Sequence, residues 1–212
     1  MARTLDPVCK LCRREGMKLY LKGKRCDSPK CPIERRQGQL PGMHGGRRAK
    51  VSEYGIRLRE KQRLKRFYGL FERQFRRYFG IASRTTGNTG EALLSVMERR
   101  LDNVAHRLGF APSRSAARQL VSHGHVVVNG KFCNVPSRLL RPGDVVSVKP
   151  HKRSMDLVRV NLGDSPPLLP DYLEVVSTDP PTARMTRMPA RGDVDPHIQE
   201  IRENLIIEFV SR

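Results

Sequence analysis

The sequence predicts an α+β protein: an N-terminal zinc knot and basic helices, with an inserted helix–turn–helix plus small antiparallel sheet. Three observations predict it. Two close cysteine pairs, Cys9/Cys12 and Cys26/Cys31, sit in a polar segment. Amphipathic basic sequence then runs from Ser52 to Phe79. From residue 91 to 150 the apolar period shifts from helical spacing to short Val-rich runs punctuated by turn residues. On these grounds the 212 residues divide into 1–45, 46–90, 91–150 and a C-terminal segment, 151–212.

In the first segment, Cys9-x-x-Cys12 is a tight turn in which both thiolates can face one ion. Cys26 and Cys31 bracket Asp27-Ser28-Pro29-Lys30, a turn that also lets two sulfurs converge. Two close pairs separated by a short excursion fit tetrahedral structural Zn²⁺, one ion, with no open position for catalysis. Two disulfides are disfavoured because the N-terminus has no signal peptide, which points to a reducing, cytosolic compartment. An iron–sulfur cluster also uses four thiolates, but nothing else in the chain suggests redox chemistry. The ion would fold a segment too polar and small to hold a core alone. Cys133 stands apart in a strand-like stretch and reads as a small packing residue.

A Pro/Gly-rich linker carrying Arg47, Arg48 and Lys50 leads to Ser52, an N-cap. The helix that follows is dense in cations (Arg57, Arg59, Lys61, Arg63, Lys65 and Arg66), with Ile56, Leu64 and Phe67 as its inner face. A second helix after Gly69 places Leu70, Phe71, Gln74, Phe75 and Tyr78 on one side and leaves Arg73, Arg76 and Arg77 off that stripe. The aromatics read as core. Residues 1–90 hold 24 Lys/Arg against 7 Asp/Glu, so most of the chain's formal charge of +20 lies there. Such an excess repels itself unless a polyanion is near, and a polyphosphate backbone turns it into affinity by counterion release. A membrane-surface role is disfavoured by aromatics spread over two helices beside a cysteine knot.

In 91–150, Leu93, Met97, Leu101, Val104 and Leu108 predict one helix from near Gly90 to Gly109, with Thr89 as its cap. Ser113 caps a second helix ending at Gly124, with Arg114 and Arg118 on one face, poised with the helix start for a phosphate. Val126-Val127-Val128, Asn129-Gly130 and Lys131-Phe132-Cys133 predict a hairpin, and Pro142-Gly143-Asp144 turns the chain into a strand over 145–148. Arg114, Arg118, His123 and Lys131 can cluster there. The second helix offers little Asn or Gln to read DNA bases, so shape and phosphate recognition of folded RNA fits better.

The string ERRLDNVAHRLGFAPSRSAARQLVSHGHVVVNGKFCNVPSRLLRPGDVVSV resembles an RNA-binding module of several bacterial RNA proteins, including an appendage of some pseudouridine synthases and tyrosyl-tRNA synthetases. The flanks PVCKLCRREGMKLYLKG and PGMHGGRRAKVSEYGIRLREKQRLKRFYGLFERQFRRYF, with the tail IQEIRENLIIEFVSR, closely resemble bacterial small-subunit ribosomal protein four over almost the whole chain. An RNA-modifying enzyme would need a catalytic domain, and neither flank offers clustered acids, bases or a phosphate loop.

The resemblance implies a structural constituent of the small ribosomal subunit, a primary 16S rRNA binder that nucleates subunit assembly. It implies the zinc-binding branch of the family, with Cys9, Cys12, Cys26 and Cys31 as ligands. It places Arg47, Arg48 and Lys50 at the mRNA entry channel. It implies contact with small-subunit protein five, sought at Ile206, Ile207 and Phe209, a contribution to decoding accuracy, and protein three as a further neighbour. The C-terminal segment would return to the helical domain. Departures from the family fall in 151–191, where Tyr172 stands in place of a frequent Trp and NLGDSPPLLP reads as a shortened loop, and in the tail, which Arg202 interrupts.

Overall fold

Residues 7–36, 39–43, 45, 50–164 and 169–211 are described by a computed structural model of the chain. They fall in two units, Met1–Ala92 with Asp195–Arg212, and Leu93–Val194.

In the first unit, α1 (Val8–Glu15) stops at Gly16, whose left-handed backbone (φ 71°) suits glycine. A 3-10 turn, Gly23–Cys26, and the four-residue α2 (Pro32–Arg35) complete the cysteine segment. Ser52 caps α3 (Glu53–Phe67) as expected, its Oγ accepting the Gly55 N–H at 3.2 Å. α4 (Glu72–Ala82) follows, and the C-terminal helix α9 (Glu203–Val210) packs on α3. Leu64, Phe67, Phe75, Ala82 and Ile206 are fully buried. The core reading of the aromatics therefore holds for Phe67, Phe75 and Tyr78, whereas Phe71 is exposed. Ile56 is exposed too, although it lies one turn before Glu60 on the face that buries Leu64 and Phe67. At the start of α5 (Thr89–Glu98) a Cβ on Gly90 would stand 2.8 Å from Glu203 Cβ, so only glycine lets α9 approach this closely.

The expected single helix over 93–108 is two. α5 ends at Glu98 and α6 spans Leu101–Arg107, although every residue of the predicted apolar stripe is buried. The cause is a competing set of backbone bonds. Leu101 N–H donates to Arg138 O (2.9 Å), Asp102 N–H to Pro136 O (3.1 Å) and Leu140 N–H to Arg99 O (2.9 Å), so the segment 136–140 is stitched to the break. Asn88, not Thr89, caps α5: its Oδ1 accepts the Gly90 N–H at 2.9 Å. α7 (Arg114–Ser122) is capped by Ser113, whose Oγ accepts the Ala116 N–H at 3.3 Å.

β1 (Val126–Val128) and β2 (Lys131–Phe132) form the predicted hairpin, with positive φ at Asn129 (53°) and Gly130 (76°) as a two-residue type I′ turn needs. β3 (Val145–Val148) pairs with β1. Beyond it the sequence reading stops short. Residues 152–164 form α8 (Lys152–Asp164), and β4 (Leu173–Thr178) with β5 (Pro181–Met185) makes a second hairpin whose β5 pairs with β3. The sheet order is β2-β1-β3-β5-β4, and the sheet-bearing unit runs to Val194, not to residue 150. The hairpin covers an edge of β3 that would otherwise be left open. Of the stretch read as a shortened loop, 165–168 lie outside the described residues.

Val126, Val128, Val146 and Val148 alternate inward onto Leu101, Val104, Leu120 and Val121, and Cys133 joins this core as expected. Tyr172 is fully buried there, its OH donating to Glu98 Oε2 at 3.1 Å. Burial and the Glu98 charge push the Tyr172 phenol well above its ordinary value. Among the described residues no helix is long and apolar enough to cross a membrane.

Candidate nucleic-acid interface

The cations of α3 are largely turned to internal use. Glu15, at the end of α1 with its side chain fully buried, ion-pairs with Arg66 and with Arg59 (3.1 Å), and its backbone oxygen accepts from Arg63 at 3.2 Å. Three arginines thus clamp the cysteine segment onto α3. Burial outweighs the guanidiniums of Arg59, Arg66 and Arg63, so the Glu15 carboxyl is pushed above its ordinary value. Its Oε2 has no hydrogen-bond partner, consistent with that cost. Lys61 is buried, ion-paired to Glu72 and set 5.1 Å from the Phe209 ring and 5.7 Å from Phe75. Lys65 (3.1 Å) and Arg76 (3.4 Å) share Glu72. Burial works against the Glu72 charge, yet the bonds from Lys61 and Lys65 hold its carboxyl below the usual range. Arg57 bridges Glu53 (3.1 Å) and Glu208 (2.8 Å). Lys61 therefore pins α4 and α9 to α3 from inside. The others keep part of their surface.

On the solvent side of α4 the exposed cations form one ridge, and Lys22, Lys24, Arg25, Arg35 and Arg36 of the cysteine segment are exposed as well. Arg73 and Arg77, one turn apart, are exposed; Arg76 is exposed beside them despite its contact with Glu72; Arg84 continues the ridge past the helix end. Lys50 is exposed, while Arg47 and Arg48 lie outside the described residues. The C-terminal residues sought as protein contacts divide. Ile206 is fully buried in the chain's own core, and Ile207 and Phe209 are half-buried, Phe209 lying 5.3 Å from Tyr54. The cause is that α9 spends its apolar face on α3.

In the second unit, the expected phosphate-facing pair is turned inward. Arg114 is buried, its Nε donating to Asn103 Oδ1 at 2.8 Å, and Arg118 donates to Asp102 Oδ2 at 3.1 Å. Asp102 also receives the fully buried Arg100 through two bonds, 2.9 and 2.5 Å. Glu98 accepts from Asn103 at 2.7 Å, as well as from Tyr172. A polar network on α5 and α6 thus captures both arginines, because buried carboxylates demand cations. His123 and Lys131 do reach solvent. His125 lies 6.2 Å from His123, ring to ring, and its Nδ1 is 2.9 Å from Ser154 Oγ. Burial, then His123, Lys149 and His151, depress its pKa.

Cys9, Cys12, Cys26 and Cys31 line one small cavity of about 10 Å³, with Lys22, Arg25, Pro32 and Ile33 around it. None of the four is in a disulfide. Burial, opposed by a hydrogen bond from the Leu19 backbone and aided by Cys26, Cys9 and Cys31, pushes the Cys12 thiol up to about 11. Burial also raises Cys26, against a backbone bond from Lys22. Among the described residues no group of Cys, His, Asp or Glu is closed to metal-ligating geometry. Four thiols bordering one cavity are a donor set whose chemistry suits a small thiophilic cation, and backbone groups of Leu19 and Lys22 hydrogen-bond to Cys12 and Cys26.

Comparison with known proteins decides the family. Residues 3–98 match the Ribosomal protein S4/S9 N-terminal domain, and 99–146 match the S4 domain. The chain is 53% identical over 212 residues to the small ribosomal subunit protein uS4 of Thermoanaerobacter sp. (strain X514), covering 100% of both chains. It is 52% identical to that of Gloeobacter violaceus over 212 residues and 53% identical to that of Dictyoglomus thermophilum over 215, each again covering 100% of both chains. The chain belongs to the uS4 ribosomal protein family. In this uS4 chain the sequence reading overlooked Arg84, although its place seven residues after Arg77 extends the ridge of Arg73 and Arg77. It overlooked Lys149 and the exposure of Phe132 as well, because only the strand register brings those two together.

Proposed function

We propose that this chain is a structural, non-enzymatic component of the small ribosomal subunit that binds 16S rRNA. The observation that carries the reading is end-to-end similarity, at about half identity, to proteins named small ribosomal subunit protein uS4. The exposed arginine ridge of α4 and the exposed Lys131 and His123 support it, since each suits phosphate without base-reading amides. A cytoplasmic location follows from the family. To test the reading, the full chain is titrated with a transcript of the 16S rRNA 5′ domain and with an unrelated RNA of equal length. Binding to the 16S transcript at least about 100-fold tighter is expected; equal affinity for both overturns the reading.

The family supports finer roles: nucleation of assembly at a junction in that domain, an mRNA entry path at Arg47, Arg48 and Lys50, and a neighbourhood of small-subunit proteins five and three that bears on decoding accuracy. Exposure leaves Ile207 and Phe209 as the contact candidates on α9, in place of Ile206.

We also assign the chain to the zinc-binding branch. Cys9, Cys12, Cys26 and Cys31 would hold one Zn²⁺, which supplies cross-linking of the polar segment 7–36 and no reaction chemistry. Their lining of one ion-sized cavity supports this. One zinc per chain by elemental analysis is expected, with faster hydrogen exchange in 7–36 after chelation or Cys9→Ser; a chain without metal and with unchanged exchange overturns it.

A further inference from the structure

We infer that Phe132, on the outer face of the β2-β1-β3 sheet, is a stacking platform for an unpaired RNA base. The inference rests on the rRNA-binding reading above and adds a contact chemistry to it.

Strand alternation sets the face. Val126, Val128, Val146 and Val148 point into the core. The register Val127↔Phe132 and Val127↔Ser147 therefore puts Phe132 and Ser147 on the opposite face, with Lys149 two residues further along. Phe132 is 67% exposed, far more than Phe67, Phe75 or Phe110, which are buried. Its place is well fixed. The turn beside it is locked by Asn129, which donates to Asp144 Oδ1 at 2.7 Å and accepts the Val145 N–H at 2.8 Å. Lys149 Nζ lies 4.8 Å from the Phe132 ring centroid, and the Lys149 N–H is tied to His125 O at 2.8 Å.

A ring presented to water from a fixed strand, beside a cation, matches a nucleotide in two ways. The ring offers a face to a base, and the ammonium offers a charge to the adjoining phosphate. The same sheet face continues through Thr182, opposite Ser147, to the exposed Arg184, opposite Val145. Lys131 adds an exposed cation next to Phe132 in sequence. Of the nearby acids, Glu174 lies across from Arg184 on the far strand β4 and Asp144 is held by Asn129 in the turn, while Lys149 and Lys131 are the charges next to Phe132. Phosphate-bearing single strand is the chemistry this face complements.

The test uses the full chain and the 16S 5′-domain transcript. The chain has no tryptophan, so Phe132→Trp introduces a single indole reporter. Its emission should be quenched on RNA binding, with affinity kept. Phe132→Ala should weaken binding about 5- to 100-fold with the salt slope unchanged, because stacking releases no counterions. Lys149→Gln should instead reduce the salt slope by about 1. Melting temperatures should match the parent, since the ring is exposed. If Phe132→Ala binds as the parent does and the indole emission is unchanged at saturation, the inference is wrong while the rRNA reading stands. If the parent itself shows no preference for the 16S transcript, the reading fails and takes the inference with it.

Discussion

Asp102→Ala should be among the most damaging single changes in the Leu93–Val194 unit. Arg100 has no exposed surface, and Asp102 anchors it through Nε (2.9 Å) and a second nitrogen (2.5 Å). The same carboxylate takes Arg118 at 3.1 Å and the Asn103 N–H at 3.0 Å. Removing it leaves a guanidinium that cannot reach water, and breaking a buried pair in this way costs about 3–5 kcal/mol. Arg118, partly exposed, can rehydrate and adds little. For a unit of roughly 100 residues that loss lowers Tm by at least about 12 °C. Thermal unfolding of the full chain, with hydrogen exchange at 93–194 to locate the loss, measures it. Arg100→Met combined with Asp102→Ala removes both charges and should recover much of the stability, giving a large coupling in the double-mutant cycle. A single Asp102→Ala variant melting within about 4 °C of the parent would refute the network argument.

Cation substitutions should separate RNA contacts from internal struts. Arg73→Gln or Arg77→Gln should each lower the log–log salt slope of rRNA affinity by about 1 and leave Tm unchanged. Lys61→Gln should leave the slope alone and lower Tm, because its charge serves Glu72 and the Phe209 and Phe75 rings. Stability of the sheet unit should fall as pH drops below the ordinary histidine value of 6.5, since a folded-state pKa lowered by burial and by His123, Lys149 and His151 means that the unfolded chain takes up the proton first. His125→Gln should flatten Tm against pH between 5 and 7, read by scanning calorimetry. Ser113→Ala should cost about 1 kcal/mol by removing the α7 cap, checked by urea unfolding.

Local chemistry was legible wherever it is decided within a few residues. Ser52 and Ser113 as caps, the Asn129-Gly130 hairpin and the buried stripe Leu93 to Leu108 all follow from short-range sterics and periodicity. Periodicity could not show that this stripe is broken at Arg99–Arg100, because the bonds that break it come from residues 136–140. Nor could it find β4 and β5. Val175 and Val176 are both exposed, so the outer strand carries little of the alternation that marks a buried one. The cationic run on α3 read as a ligand face because a one-dimensional count of charge cannot see Glu15, 44 residues from Arg59 in sequence and in contact with it in space.

The sequence by itself determined the family and the polyanion partner class, since composition, spacing and motif survive without coordinates. Only the tertiary structure decided how the positive charge is divided. Arg114 and most of Arg118 are drawn into the protein by the buried Asn103 and Asp102, and Lys61 by Glu72 and the Phe209 and Phe75 rings, while Arg73, Arg77, Lys131 and the ring of Phe132 are left to solvent. The physical reason is desolvation. A buried carboxylate must be matched by the nearest available cation, and which cation is nearest is set by packing between segments far apart in the chain.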